Sequence, residues 1–236
     1  MSKFKLNKKF FGRLFRIMLR IGLGFLIVSF LSVLLFRFVN PPISPLMIIR
    51  AVEQKFDGKP MQIDKKWVSL ENISPNLIVA VVSSEDNKFL DHHGFDFEAI
   101  EKAYDSNQKG KKIKGASTIS QQTAKNVFLW PSRSYIRKGF EAYFTFMIEL
   151  LWSKKRILEV YLNIIEMGDG IYGAEQASMA YYKKSASKLS VNEAAAIASI
   201  LPNPRLFDPL KPSARLANHQ RWIVNRMAQI GRIKFK

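Results

Sequence analysis

Sixteen consecutive residues without a charge, Ile21 to Phe36, follow a stretch that contains Lys3, Lys5, Lys8, Lys9, Arg13, Arg16 and Arg20 but no acid, and Arg37 closes the run. A helix that is apolar on every side has no solvent face, so such a segment belongs inside a core or in lipid. Sixteen residues fall short of the roughly 20 that span a bilayer. Extension to Ile17 and Val39 supplies the length, with Arg20 and Arg37 snorkelling to the two interfaces. The cations before the run hold the N-terminus in the cytoplasm and put everything after about Asn40 outside it. A cleaved signal peptide or a buried core helix would carry a similar run. No small-x-small site follows, however, and the run exceeds a usual signal core, so a type II anchor is the reading. The chain divides accordingly into a basic cytoplasmic tail (1–16), a transmembrane helix (17–39), a linker (40–60) and one domain (61–236).

The linker assignment rests on Pro41, Pro42 and Pro45, which fix their own φ and discourage helix before them. With 236 residues, 47% of them apolar, the chain has enough material for one real core beside the anchor. The absence of cysteine excludes a disulfide framework and thiolate metal sites. A formal charge of +18 demands an anionic partner: nucleic acid, a phosphate-bearing lipid or an acidic membrane surface.

Within the domain, Ser74 before Pro75 marks a helix start, and the apolar run Leu77 to Val82 carries that helix toward Glu85. Asp105 to Gly115, DSNQKGKKIKG, lacks an apolar period and reads as a mobile lid or entry loop. Thr118 and Gln121 form a capping box, which starts a helix carrying Gln122 and Lys125 and turns its free N-terminal amides toward that lysine. Ser134 to Asn163 reads as long helical segments, Val191 to Leu201 as a helix stopped by Pro202 and Pro204, and Ala214 to Ile230 as a last amphipathic helix. The domain is expected to be all-α.

Two polar strings, EDNKFLDHHG (Glu85 to Gly94) and GASTISQQTAKNVFL (Gly115 to Leu129), hold more acids, amides and hydroxyls than packing requires, and Arg137, Lys138 and Glu141 follow. Two carboxylates thus flank a basic, amide-rich segment, the arrangement of an acid–base pair around an anionic ligand. The local alternative is ion pairing of Arg137 and Lys138 with Glu141, worth about 0.2–0.5 kcal/mol per pair, and both can hold at once. His92 and His93 lack an HExxH or cysteine partner set, so a structural histidine at the turn before Gly94 is preferred and no metal ligand is assigned. Tyr143, Phe144, Phe146 and Trp152 read as core, with some of them able to touch lipid.

Together these strings resemble the peptidoglycan glycosyltransferases. Glu85, Asp86, Phe89, His92 and Gly94 match the family's first motif, and Gly115, Ser117, Thr118, Gln121, Gln122, Lys125 and Asn126 its second. Arg137, Lys138 and Glu141 match the third; ILEVYLN (Ile157 to Asn163) with Gly168, Tyr172 and Gly173 matches the fourth. Ala116 replaces a glycine common in the family, as in its stand-alone Gram-negative branch. The resemblance implies a lysozyme-like fold with a smaller, membrane-facing subdomain, and Glu85 as the base that deprotonates an acceptor sugar's 4-hydroxyl. It implies Glu141 as a second acid, donating a proton or orienting the cations. Lys125, Arg137 and Lys138 would bind pyrophosphate, and Ser117, Thr118, Gln121 and Gln122 would donate to sugar hydroxyls and phosphate. The substrates implied are lipid II and a lipid-linked glycan chain, with no organic cofactor, with Mg²⁺ or Mn²⁺ as the cation accompanying pyrophosphate, and with the cell-wall synthesis machinery as partner. The implied location is the bacterial inner membrane with a periplasmic domain. A lytic enzyme would share the fold and two carboxylates but needs no pyrophosphate cluster; a nucleic-acid binder would explain the charge, but the topology and the lack of a base-stacking motif oppose it. SNQK (Ser106 to Lys109) and SASK (Ser185 to Lys188) match the transpeptidase S-x-x-K, but no K-T-G accompanies them.

Overall fold

The structure, a computed structural model, describes residues 8–108, 116–132 and 134–235, and the chain forms two compact units, 1–39 and 40–236. The first is helix α1 (Lys8–Phe38). Its stretch Phe11–Phe38, with a mean hydropathy of 2.3, is long and apolar enough to cross a membrane. The Ser32 hydroxyl donates to the Val28 carbonyl (2.7 Å) and that of Ser29 to Leu26 (3.1 Å), so their polar atoms are satisfied within the helix. α1 begins nine residues before the span expected at Ile17 because lysine, arginine and leucine sustain helix as well as apolar residues do.

In the second unit the expected linker is folded. Ser44 caps α2 (Pro45–Phe56), Pro45 occupies its first turn, and Met47, Ala51 and Gln54 are buried. Pro45 starts this helix, as proline at a first helical position does, while Pro41 and Pro42 stay in the non-helical stretch before it. Next come a strand β1 (Asp64–Lys65), a 3-10 turn (Leu70–Asn72), α3 (Pro75–Glu85) and α4 (Phe97–Gln108). The Ser74 hydroxyl accepts from the Asn76 amide, as the sequence predicts, and donates to the Leu189 carbonyl at 2.8 Å. Residues 105–108, expected in the loop, end α4 instead, because a polar sequence without an apolar period can still continue a helix. The remainder of that loop, including Lys109 and Gly115, lies outside the described residues.

α5 (Ile119–Phe128), α6 (Tyr135–Leu151) and α7 (Lys154–Ile164) follow, then β2 (Glu166–Gly168), β3 (Ile171–Tyr172), α8 (Ala174–Tyr182), α9 (Val191–Ile200) and α10 (Ala214–Ile230). α3 packs on α9 and α10, and α5 on α6 and α7. α9 is buried from Ala194 to Ile200; its alanines let α3 approach closely. α10 buries Leu216, Ile223 and Met227 along one stripe. Phe128 stacks on Phe144 at 4.5 Å, and Phe144 and Trp152 are core, whereas Phe146 is exposed.

The domain is helical apart from one small sheet of order β1-β3-β2, in which β1 runs parallel and β2 antiparallel to β3. Strands of two or three residues carry no readable period, so this sheet left no sequence signal. Gly173 follows it with φ 82°, and a Cβ there would meet the Asn163 carbonyl oxygen at 2.7 Å; only glycine fits where the sheet abuts α7.

Candidate active site

Glu85 is the last residue of α3, and Asp86 caps that helix. The Asp86 carboxylate accepts from the Ile119 amide (3.0 Å), which opens α5, and lies 2.9 Å from His92 Nε2. His92 Nδ1 accepts from the Gly94 amide (3.1 Å), so the network assigns the ring proton to Nε2, donating to Asp86. The Thr118 hydroxyl donates to the Gly94 carbonyl at 2.7 Å. Gly94 has φ 90°, and a Cβ on it would stand 2.8 Å from Thr145 Cγ2 on α6. The first motif is therefore clasped to the start of the second and to the helix of the third. His92 is structural, as expected.

These bonds engage groups that were also expected to meet the substrate. The Thr118 side chain and Gln121 are buried and committed to the capping box of α5, Thr118 Oγ1 accepting from the Gln121 amide and Gln121 Oε1 from the Thr118 amide. They hold the helix start together. Two amides of the first turn of α5, those of Ile119 and Gln121, are taken by Asp86 and Thr118.

Gln122 and Lys125 face the cleft. Gln122 Nε2 donates to Glu85 Oε2 at 2.7 Å, and Gln122 Oε1 accepts from the Tyr161 hydroxyl at 3.2 Å. Burial pushes the Glu85 carboxyl above its ordinary value, opposed by the Gln122 bond and the Lys125 charge and reinforced by Asp86. Burial likewise pushes the Lys125 ammonium down, with Glu141 opposing it, Arg137 and Lys138 adding to it, and Glu85 opposing it. Lys125 therefore feels both acids at once. On α6, capped by Ser134, Glu141 is buried, and its carboxylate accepts from Arg137 Nη1 (2.6 Å) and from Lys138 Nζ. The local ion pairs are present, and they place two cations beside Lys125.

Two cavities meet here. One of about 610 Å³ is lined by Gln122, Lys125, Asn126 and Arg137 and also by Arg50 and Glu166. The other, of about 420 Å³, is lined by Glu85, Asp86, Ser117, Trp222 and Arg226. The Glu85–Gln122 hydrogen bond joins a residue of one lining to a residue of the other. Ser117 is exposed at the second cavity, Lys138 stands half exposed on α6, and Glu141 supports the cations from behind.

Sequence reasoning assigned no role to Tyr161, Arg50, Glu166 or Trp222. Tyr161 stood within the fourth motif and was available; the others reach the cavities only through long-range packing. Among the described residues no group of three or more histidines or acids is placed to hold a metal ion, and both Glu141 oxygens are engaged by cations. Among the described residues the acids therefore do not assemble a protein-built Mg²⁺ or Mn²⁺ site.

Two carboxylates at a cationic cleft in a helical domain define an enzyme that makes or breaks glycosidic bonds. The chain belongs to the transglycosylase family, whose model, described as Transglycosylase, matches residues 51–228. That family's domain is lysozyme-like, and the helical unit described above is this domain. The chain is similar to a biosynthetic peptidoglycan transglycosylase of Shewanella oneidensis, 50% identical over 225 residues that cover 95% of each chain. It is likewise similar to those of Bdellovibrio bacteriovorus, at 53% identity over 86% of this chain and 82% of the relative, and Bacteroides thetaiotaomicron, at 54% over 84% and 80%.

Proposed function

We propose that the protein is a peptidoglycan glycosyltransferase of cell-wall biogenesis that polymerises lipid II into β-1,4-linked glycan and releases undecaprenyl pyrophosphate. The observation that carries this reading is Glu85, a carboxyl of raised pKa hydrogen-bonded to Gln122 at the edge of a cavity lined by Lys125 and Arg137. A base of this kind removes the proton of the acceptor GlcNAc 4-hydroxyl as O4 attacks C1 of the MurNAc at the lipid-linked end of the growing chain. The C1–O bond to pyrophosphate breaks, and its electron pair leaves with the phosphate. Attack opposite the leaving group inverts C1, hence a β linkage.

Lys125, Arg137 and Lys138 neutralise the charge that develops on the departing pyrophosphate. Glu141 orients Arg137 and Lys138 through its two oxygens and so acts as a positioning acid. Ser117 and Gln122 are the polar groups left to meet sugar hydroxyls. The cation cluster favours synthesis over lysis, since hydrolysis of a glycan expels no phosphate.

Membrane anchoring by α1, with the N-terminus cytoplasmic and the domain periplasmic at the inner membrane, is supported by the apolar span and the cations before it. That side of the membrane is also where the cell-wall synthesis machinery would be met. Transpeptidation is not part of this reading, because no K-T-G element accompanies either S-x-x-K match; Ser185 caps a 3-10 turn and donates to Glu175 (3.2 Å). The test is incubation of purified protein with labelled lipid II. Polymer sensitive to a glycan hydrolase is expected, and its absence under conditions where the protein is folded would defeat the proposal.

A further inference from the structure

The larger cavity carries a second polar group that the chemistry above does not use. Arg50 Nε, Glu166 Oε1 and the Tyr172 hydroxyl are all buried and without a hydrogen-bond partner. They belong together. Glu166 faces Tyr172 across the β2–β3 pairing, and Arg50 Nε lies 3.7 Å from Glu166 Oε2, too far for a hydrogen bond. Arg50 spends Nη1 on Glu53 Oε2 at 2.5 Å. The charges acting on Glu166 come from Arg50, Arg205 and Asp169, whereas those acting on Lys125 come from Glu141, Arg137, Lys138 and Glu85. One cavity wall thus holds two electrostatically separate clusters.

We infer that Glu166, Arg50 and Arg205 form a subsite that binds an uncharged amide of the substrate. Orphaned buried polar atoms cost stability, and two of these, on Arg50 and Glu166, belong to residues that line the cavity, where a ligand can complete them. Their chemistry selects that ligand. Glu53, Glu166 and Asp169 stand against Arg50, Arg205 and Lys59, joined by the Lys59–Asp169 pair at 3.2 Å and by Arg205 at 3.4 Å from Asp169 and 3.6 Å from Glu53. Three acids balance three bases, so the cluster has no net charge to attract an ion of either sign, and a neutral polar group is preferred. Burial raises the Glu166 carboxyl above its ordinary range, against the pull of Arg50 and Arg205, which suits a partner without charge. A carboxyl beside a guanidinium offers an acceptor next to a donor, and an amide presents the matching N–H and C=O.

The inference rests on the lipid II reading, and that substrate supplies such an amide in two regions: the 2-acetamido groups of the sugars, and the peptide with the bond joining it to the lactyl group. Three lipid-linked disaccharides separate them: the complete one, one lacking the peptide, and one lacking the N-acetyl groups. With full-length protein in detergent, Glu166→Gln is expected to raise KM for the complete substrate about tenfold and leave kcat within about twofold. On the substrate that lacks the recognised amide the variant and wild type should coincide, and which substrate that is names the source. Equal KM on the complete substrate, or the same loss on all three, would overturn the inference. If Glu166→Gln fails to fold, Arg205→Gln, at a partly exposed side chain, should show the same substrate pattern with about a threefold rise. A wild-type protein that makes no polymer from the complete substrate would instead remove the lipid II reading itself.

Discussion

Glu85 is the residue on which activity and stability pull in opposite directions. Glu85→Gln keeps the shape but cannot accept a proton, so polymer formation should vanish while lipid II binding persists; turnover near wild type would take Glu85 out of the mechanism. The same substitution has a stability signature. Because the folded-state pKa is raised, the native state holds its proton longer than the unfolded chain. Stability is therefore lost as pH climbs from the ordinary carboxylate range through the raised value, and the deficit persists at neutral pH. Glu85→Gln removes that deficit. In denaturant melts it should be at least as stable as wild type at pH 7, with the difference closing toward about pH 4. Lys125→Ala removes the cation that feels both acids and should cost about 10²-fold in kcat; an unchanged rate would make the second motif purely structural.

At the scale of elements, the start of α5 is where motif and architecture coincide. Thr118 both caps the helix and holds the Gly94 carbonyl, so Thr118→Ala should lower stability by about 1–2 kcal/mol, read as a shift in denaturant midpoint. Loss of activity without any such shift would return Thr118 to the substrate. This cap was legible in the sequence, as were Ser74–Pro75 and the whole of α10, because each is decided by residues within one or two turns. The tail of α4 was not legible, since a run of polar residues fits loop and helix equally well. Nor was the sheet, whose pairing of Asp64 with Ile171 joins segments with no local period. The site divides along the same line. Glu85, Gln122, Lys125, Arg137 and Glu141 stood in contiguous motifs and are brought together, whereas Arg50, Glu166 and Trp222 come from segments that meet only when the chain folds.

For the whole molecule, the division at residue 39 separates anchoring from chemistry. A reporter fused after Lys236 should be active only if it works outside the cytoplasm, because the cations preceding the uncharged run of α1 hold its start inside; activity confined to the cytoplasm would overturn the topology and the substrate with it. Labelled penicillin should fail to acylate the purified protein, and polymer made from lipid II should stay uncross-linked. Labelling at Ser106 or Ser185 would show a second activity. On the proposed anchoring and substrate, a domain tethered by one apolar helix and working on a lipid-tailed substrate searches a plane and not a volume. What governs its rate is then the substrate's surface density, its share among the surrounding amphiphiles, so that diluting the bilayer with other lipid slows the enzyme even when the number of substrate molecules per litre is unchanged.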